Sequence, residues 1–353
     1  MVFFPAMPTK STGHRHGLRA VAEALKSPGQ FLVTGHLRPD GDALGSALAL
    51  TRLLNQAGHK AFFTAFKSQL GRPGFLEGCA RVVRPEDAVK KRYAAWVALD
   101  CGAVERLPEP LQPHAANARI INMDHHATNT RFGAVNWIDP RASSTGEMVW
   151  RLARKMKWPL DRAGAEALWV ALVTDTGRFS HEHTRPAALR FGADLLRHGV
   201  RTAFIDERVY TFVNANTLAL KQRAFASLET WLDGRVAVIS LTRDDFRETR
   251  TAKADAEDFA EIPRSLASAR VALFFYQNER LRDNTTYLSI RTRAPLDATR
   301  LAARFGGGGH VRAAGCSLEM PIPGAMAAVR DALSEFLAPG ETPPTTPEPP
   351  NPQ

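Results

Sequence analysis

Cysteine is scarce in this chain: Cys79, Cys101 and Cys316 are the three in 353 residues, odd in number and widely spaced. That excludes a disulfide framework and points to a reducing compartment. Long apolar runs are missing as well. No segment could span a bilayer, and the opening MVFFPAMPTKSTGHRHGLR lacks the unbroken apolar stretch of a signal peptide. A cytoplasmic protein with no membrane partner is expected, and no cationic amphipathic helix suggests a membrane-surface role. Acidic charge is in deficit. Lys plus Arg number 46 against 36 Asp plus Glu, giving a net charge of +10 and a pI near 9.9. The surplus suits anionic partners such as nucleotides, RNA or DNA, or serves only to solubilise the surface.

What is present in bulk is ordinary: 44% hydrophobic and 23% charged residues make a soluble globular protein with a sizeable core. The length favours two domains. In the first half, QFLVTGH (30–36), KAFFTAF (60–66), AAWVALD (94–100) and ARIINMD (118–124) read as strands. ALGSALALTRLLNQAG (43–58) reads as a helix that stops at Gly58. Strands alternating with helices predict an α/β domain, a mostly parallel sheet with helices on both faces.

After residue 140 the pattern is helical. Ser144 and Glu147 have capping-box spacing, two further helices follow, and a connecting helix is predicted at about 214–232. A smaller α+β domain then begins with RVAVISLT (235–242). ARVALFFYQ (269–277) and TTYLSIRTR (285–293) follow as strands joined through a polar turn, then a helix, a glycine run and a last helix near 323–337. The expected domains are 15–200, a helical linker at 201–234, and 235–338. The tail 339–353, with seven Pro in fifteen residues, is expected to be disordered.

Ligands of open parallel sheets sit beyond the carboxyl ends of the strands. Three of the expected strands run into acids and imidazoles there: His36, Asp40 and Asp42 in GHLRPDGDALGS, Asp100 in ALDCG, and Asp124, His125 and His126 in MDHH. A fourth acid group, Asp175 in VTDTGRFSH, ends a long apolar helix, where its charge opposes the helix dipole and needs a cation. Each residue alone has an ordinary explanation; Asp42, for instance, could simply cap a helix. Together, four carboxylates and two histidines at one sheet end favour a metal centre. Mixed Asp and His donors suit Mn²⁺, Fe²⁺, Co²⁺ or Zn²⁺ better than an all-oxygen Mg²⁺ site. So many ligands suggest two ions, sharing a bridging carboxylate and roughly 3.5–4 Å apart.

HLRPDGDALGS, ALDCG, MDHH and VTDTGRF, in that order, resemble the four signature segments of the DHH phosphoesterase family. FGGGGHVRAAG (305–315) resembles the glycine-rich segment of its accompanying C-terminal domain, and size and glycine segment are most similar to the family's nanoRNase branch. The resemblance implies His36, Asp40 and Asp100 on one ion and Asp42, Asp100, His125 and Asp175 on the other, with Asp100 bridging and Mn²⁺ as the metal. It implies that Asp124 orients His125 through its other ring nitrogen, and that His126 meets the substrate phosphate. Arg291, Gly307, Gly308, Gly309 and His310 are implied to hold the nucleotide; Arg312 departs from the pattern and has no assigned role.

The implied activity is hydrolysis of short oligoribonucleotides, including the linear dinucleotide pApA, to 5′-mononucleotides. Removal of the 3′-phosphate of phosphoadenosine phosphate is a second expectation, and a homodimer is a third. The alternatives are a RecJ-like single-strand exonuclease, a family II pyrophosphatase, and a nucleotide-binding regulator that has lost its metals. The regulator is disfavoured because all six expected ligands are present.

Overall fold

QFLVT, AWVAL and IINMD are buried almost end to end, as strands covered on both faces must be. In the computed structural model, which describes residues 12–181, 184–256, 258–277 and 284–337, they form the centre of the first sheet. Its strands are β1 (Gln30–Thr34), β2 (Lys60–Thr64), β3 (Ala95–Leu99), β4 (Ile120–Asp124) and β5 (Val135–Ile138), in the order β2-β1-β3-β4-β5. Every pairing is parallel, so all five carboxyl ends share one edge. β5 is not legible as a strand in the chain, since only Trp137 and Ile138 of its four residues are buried. The helix before β1, α1 (Thr12–Ala24), was also not anticipated.

One face of this sheet is covered by long helices: α1, α2 (Gly41–Gln56), α3 (Thr145–Met156), α4 (Arg162–Asp175) and α5 (Pro186–Leu196). The other face packs Leu32, Trp96, Ala98 and Ile120 against short helical turns at Pro85–Ala88, Glu109–Leu111 and Gln112–Ala115. The expected second helical layer is therefore made of single turns. Helices α2 and α4 cross so closely that a Cβ on Gly45 would stand 2.3 Å from the Ala167 carbonyl oxygen. Such backbone contact is open only to glycine, and it brings the two helix ends that carry Asp42 and Asp175 together.

Asp161 ties the same pair of helices. It caps α4 by accepting from the Gly164 amide at 3.0 Å, and it accepts from Arg52 Nε of α2 at 2.6 Å and Gln56 Nε2 at 2.8 Å. Partial burial opposes its ionisation, but the bonds from Arg52 and Gly164 win and hold the carboxyl below its usual range. We expect Asp161→Ala to cost about 1–2 kcal/mol in urea unfolding at neutral pH, mostly the lost cap, because the ion pair is partly exposed. A group with a lowered native pKa stabilises above the ordinary carboxylate range and loses that contribution as pH falls through it. The gap between wild type and variant should therefore narrow on acidification.

The chain divides after Phe212 into two units. The second opens with α6 (Ala215–Ala226), capped by Asn214, whose side chain accepts from the Thr217 amide. The helix expected to reach 232 ends at Ala226, and Glu229–Trp231 is instead a strand, β6. Trp231 is driven into the core beside Val236 and Phe275, which an exposed helix end could not achieve. The sheet continues with β7 (Val236–Leu241), β8 (Val271–Gln277), β9 (Thr286–Thr292), β10 (Gly308–His310) and β11 (Ala313–Leu318), ordered β10-β11-β9-β8-β7-β6. It is mixed: β7 and β8 are parallel and every other pair is antiparallel. Helices α7 (Ala298–Ala303) and α8 (Ile322–Phe336) cover one face through Leu301, Ala325, Val329 and Leu333. Most of the polar turn between β8 and β9, and the Pro-rich tail, lie outside the described residues. Among those described, no helix is long and apolar enough to cross a membrane.

Candidate metal centre

Strands β1, β3 and β4 are neighbours, and parallel strands about 4.8 Å apart must deliver their next residues side by side. His36 follows β1, Asp100 follows β3, and His125 and His126 follow β4. Asp100 therefore sits between the histidines. Its Oδ2 lies 3.8 Å from His36 Nε2 and its Oδ1 3.6 Å from His125 Nε2. Asp40 Oδ2 is 3.8 Å from His36 Nε2 on one side. On the other, Asp42 Oδ2 and Asp175 Oδ2 are 3.8 and 3.5 Å from His125 Nε2. Among the described residues three such donor groups assemble: His36–Asp40–Asp100 and Asp42–His125–Asp175, with Asp100 facing both, and Asp100–His125–His126.

Local backbone chemistry frees these acids for the site. Asp40, not Asp42, is the N-cap of α2, its Oδ1 accepting from the amides of Asp42 and Ala43 at 3.0 Å. Its Oδ2 remains for the cluster, and Asp42 is not needed to cap α2. Pro39 bars Arg38 from the right-handed helical region, and Arg38 adopts φ 55° in the turn that sets Asp40. Asp100 is also left-handed, at φ 52°, a conformation that Asp tolerates better than most residues and that recurs at functional sites.

The groups that hold the carboxylates are not apparent from the sequence. Asp42 accepts from the Thr145 amide at 2.6 Å with Oδ2 and from the Gly146 amide at 2.9 Å with Oδ1. These are the unpaired first amides of α3, and the positive helix end favours the charge. Thr145 Oγ1 also donates to Asp100 Oδ1 at 3.2 Å. The signal for them is SSTGE, which by its spacing predicts only a helix start. Even that differs in detail: Ser144 accepts from the Glu147 amide, but the Glu147 carboxylate returns to the amide and hydroxyl of Ser143.

The expected role of Asp124 is corrected. Its Oδ1 is 2.8 Å from His126 Nδ1 and accepts from the His126 amide at 3.2 Å; it makes no bond to His125. Adjacent residues leaving a strand point to opposite sides, so the residue two further on swings back to the carboxylate, an Asx-like turn. His125 Nδ1 instead faces the Ala142 carbonyl oxygen at 3.4 Å. Asn129 Nδ2 donates to the other oxygen of Asp124 at 2.6 Å, and to Asn122 Oδ1 and the Cys101 carbonyl. Burial opposes ionisation of Asp124, but His126 and Asn129 hold its carboxyl below the usual range. The same bond, with Asp100 nearby, raises His126 to about 9.

Asp42 and Asp100 are buried, with 1% and 2% of their surface exposed. Burial first, then the charge of neighbouring carboxylates, pushes Asp42 well above its usual range and Asp100 up to about 6. A cluster this costly to ionise is one that added positive charge would relieve. The mixed nitrogen and oxygen donors fit a divalent metal.

In the second unit the glycine run is no linker. Gly308, Gly309 and His310 form the edge strand β10, paired with Gly315, Ala314 and Ala313. Gly309 has φ 148°, and a Cβ there would lie 2.6 Å from the Ala313 carbonyl oxygen. Arg291 on β9 and His310 both pair with Ala313, so their side chains rise from the same sheet face. Arg291 is half-buried, its Nη1 donating to the Ile290 carbonyl and its Nε 3.8 Å from Glu261. Arg312 turns away, Nη1 donating to the Leu296 carbonyl at 2.5 Å.

Residues 30–172 match the DHH family, N-terminal domain, and residues 233–338 match the DHHA1 domain. The chain is 32% identical over 324 residues to the bifunctional oligoribonuclease and PAP phosphatase NrnA of Thermus thermophilus, covering 91% of this chain and 94% of that one. It is 25% identical to the protein of the same name from Bacillus subtilis, over 80% of this chain and 87% of that one. Its fold superposes on an exopolyphosphatase-related protein from Bacteroides fragilis with a TM-score of 0.84 at 23% identity, covering 93% and 98% of the two chains.

Proposed function

The chain belongs to the DHH family, and from that premise we propose that it is a metal-dependent phosphodiesterase that hydrolyses oligoribonucleotides of a few residues to 5′-mononucleotides. The observation that carries this reading is the 32% identity to an oligoribonuclease and PAP phosphatase along nearly the whole of both chains. Removal of the 3′-phosphate from phosphoadenosine phosphate is the second activity we assign, from the same relative.

We place one divalent ion on His36, Asp40 and Asp100 and a second on Asp42, His125, Asp175 and Asp100, with Mn²⁺ as the metal; the three-residue groupings support this. Bound divalent ions acidify a coordinated water and screen the charge of a phosphate. The protein's own groups do the rest. Thr145 and Gly146 fix Asp42, and Thr145 also steadies Asp100 between the two groups. His126, cationic through its bond to Asp124, faces the phosphate and supplies a proton to the leaving oxygen. We assign Arg291, the backbone of Gly307, Gly308 and Gly309, and His310 to holding the nucleotide, since bare glycine amides can approach a phosphate closely.

The test is a length series with Mn²⁺, using end-labelled RNA and DNA of two to about twenty nucleotides beside pyrophosphate and phosphoadenosine phosphate. We expect the fastest turnover on RNA of a few residues. A preference for long DNA would favour a RecJ-like exonuclease, and orthophosphate from pyrophosphate alone would favour a pyrophosphatase.

A further inference from the structure

The second sheet is covered on one face by α7 and α8. On its opposite face, apolar packing from Leu220, Phe246 and Phe259 reaches Ile239 of β7 and Phe274 of β8, and Tyr276 is the last side chain against it. Beyond β8 this face is only partly covered among the described residues: Tyr287, Ser289 and Arg291 of β9 are half-buried and His310 of β10 is exposed. The floor between is made of small residues, since Ser289 pairs with Gly315, and Gly315 with Gly308.

At one end of this shelf stand Arg291 and His310. At the other, Tyr287 pairs with Tyr276, their rings stacked with centroids 5.4 Å apart and 19° between planes. Lys253 Nζ lies 4.8 Å from the centroid of the Tyr276 ring and 5.8 Å from that of Phe274, adding a cation beside the stacked pair. On the far side of Tyr287 the cross-strand neighbour is Ser317, which is exposed and too small to cover a ring. Among the described residues no ring stacks on this second face of Tyr287, while Tyr276 backs the first.

We propose that Tyr287 is a stacking platform for a base of a single-stranded oligonucleotide whose phosphate is held by Arg291 and His310. This rests on the oligoribonuclease reading and adds a subsite to it. Tyr287 and Arg291 are four residues apart on one strand, about 13 Å at the pitch of a β-strand. That exceeds the reach from a phosphate to its own base, so the ring receives the base of the next nucleotide. The shelf thus recognises a substrate of at least two nucleotides, with cation and aromatic alternating as single-strand binding surfaces use them.

The experiment compares Tyr287→Ala and Tyr287→Phe with wild type on pApA, on a trinucleotide, on trinucleotides carrying one abasic residue, and on bis(p-nitrophenyl) phosphate, which has no base. Tyr287→Ala should raise KM for pApA and the trinucleotide about tenfold with kcat unchanged, near the lower end of what losing one base–aromatic stack costs. Tyr287→Phe should behave as wild type. Bis(p-nitrophenyl) phosphate hydrolysis should be equal in all three proteins, and at one abasic position wild type and Tyr287→Ala should converge. Unchanged KM in Tyr287→Ala would overturn the subsite, as would an equal loss on bis(p-nitrophenyl) phosphate, which would make the role structural. A wild-type protein that cleaves no oligoribonucleotide would overturn the oligoribonuclease reading itself.

Discussion

Asp100→Asn leaves a folded protein that binds little or no metal and has lost hydrolysis by about 10³-fold or more. The size follows from the ions' share of the barrier, several kcal/mol at about 1.36 kcal/mol per tenfold. Asp100 is the residue whose two oxygens face the two donor groups, so one substitution weakens both. Asn preserves the side-chain shape, accepts φ 52°, and can still meet Thr145 Oγ1. The same variant should be more stable than wild type when both are free of metal. Burial and the charge of Asp40 raise the Asp100 carboxyl to about 6, so the folded protein binds its proton more tightly than the unfolded chain does. A raised acid pKa means that stability of the metal-free protein falls as pH climbs from about 4 to about 6, and stays lower above. The advantage of the variant should open over that window and vanish when Mn²⁺ is added, because only wild type gains from binding. Calorimetric titration with Mn²⁺ and urea unfolding at pH 4 and pH 7 measure both halves. A variant that still binds two ions with wild-type affinity would sink the bridging role.

Much of this site could be read from the chain because strand ends are legible. Apolar runs as pure as QFLVT and AWVAL announce buried parallel strands, and the residue after each is then fixed at the carboxyl edge. Sequence could not reveal which neighbour each acid would choose. Whether Asp40 or Asp42 capped α2 depended on where the helix began, two residues earlier than the apolar pattern suggested. Thr145 and Gly146 lie more than 100 residues from Asp42 in the chain, and only the packing of α2, α3 and α4 brings helix amides to that carboxylate. In the second unit, four consecutive glycines carry no hydrophobic period, so β10 was invisible until its partner strand supplied the register. β6 failed for a different reason: three residues with one buried side chain are too short for any period to show.

The partner of Asp124 is the point on which sequence and structure part most usefully, because the two assignments predict different losses. If Asp124 oriented His125, Asp124→Asn would weaken metal binding. The observed bond runs to His126 Nδ1 at 2.8 Å, so Asp124→Asn should keep its metal and lose turnover. His126→Ala should lower kcat by about 10²–10⁴, the usual share of a positioned proton donor, with metal content unchanged. That metal readout matters, because His126 Nδ1 is also 3.4 Å from Asp100 Oδ1, and those two with His125 form a third group able to hold an ion. Engagement of Nδ1 by Asp124 argues that the ring works as a donor instead. Asp124→Asn keeps one accepting oxygen but removes the charge that favours the cationic ring, and its amide nitrogen must face one of the two donors, His126 Nδ1 or Asn129 Nδ2, so it should forfeit a large part of the same factor while retaining the imidazole. Two residues acting as one unit are not additive, and the double variant should be little slower than His126→Ala alone. Full additivity in kcat, or loss of metal in Asp124→Asn with turnover per bound metal intact, would return Asp124 to a structural role and leave His126 to act unaided.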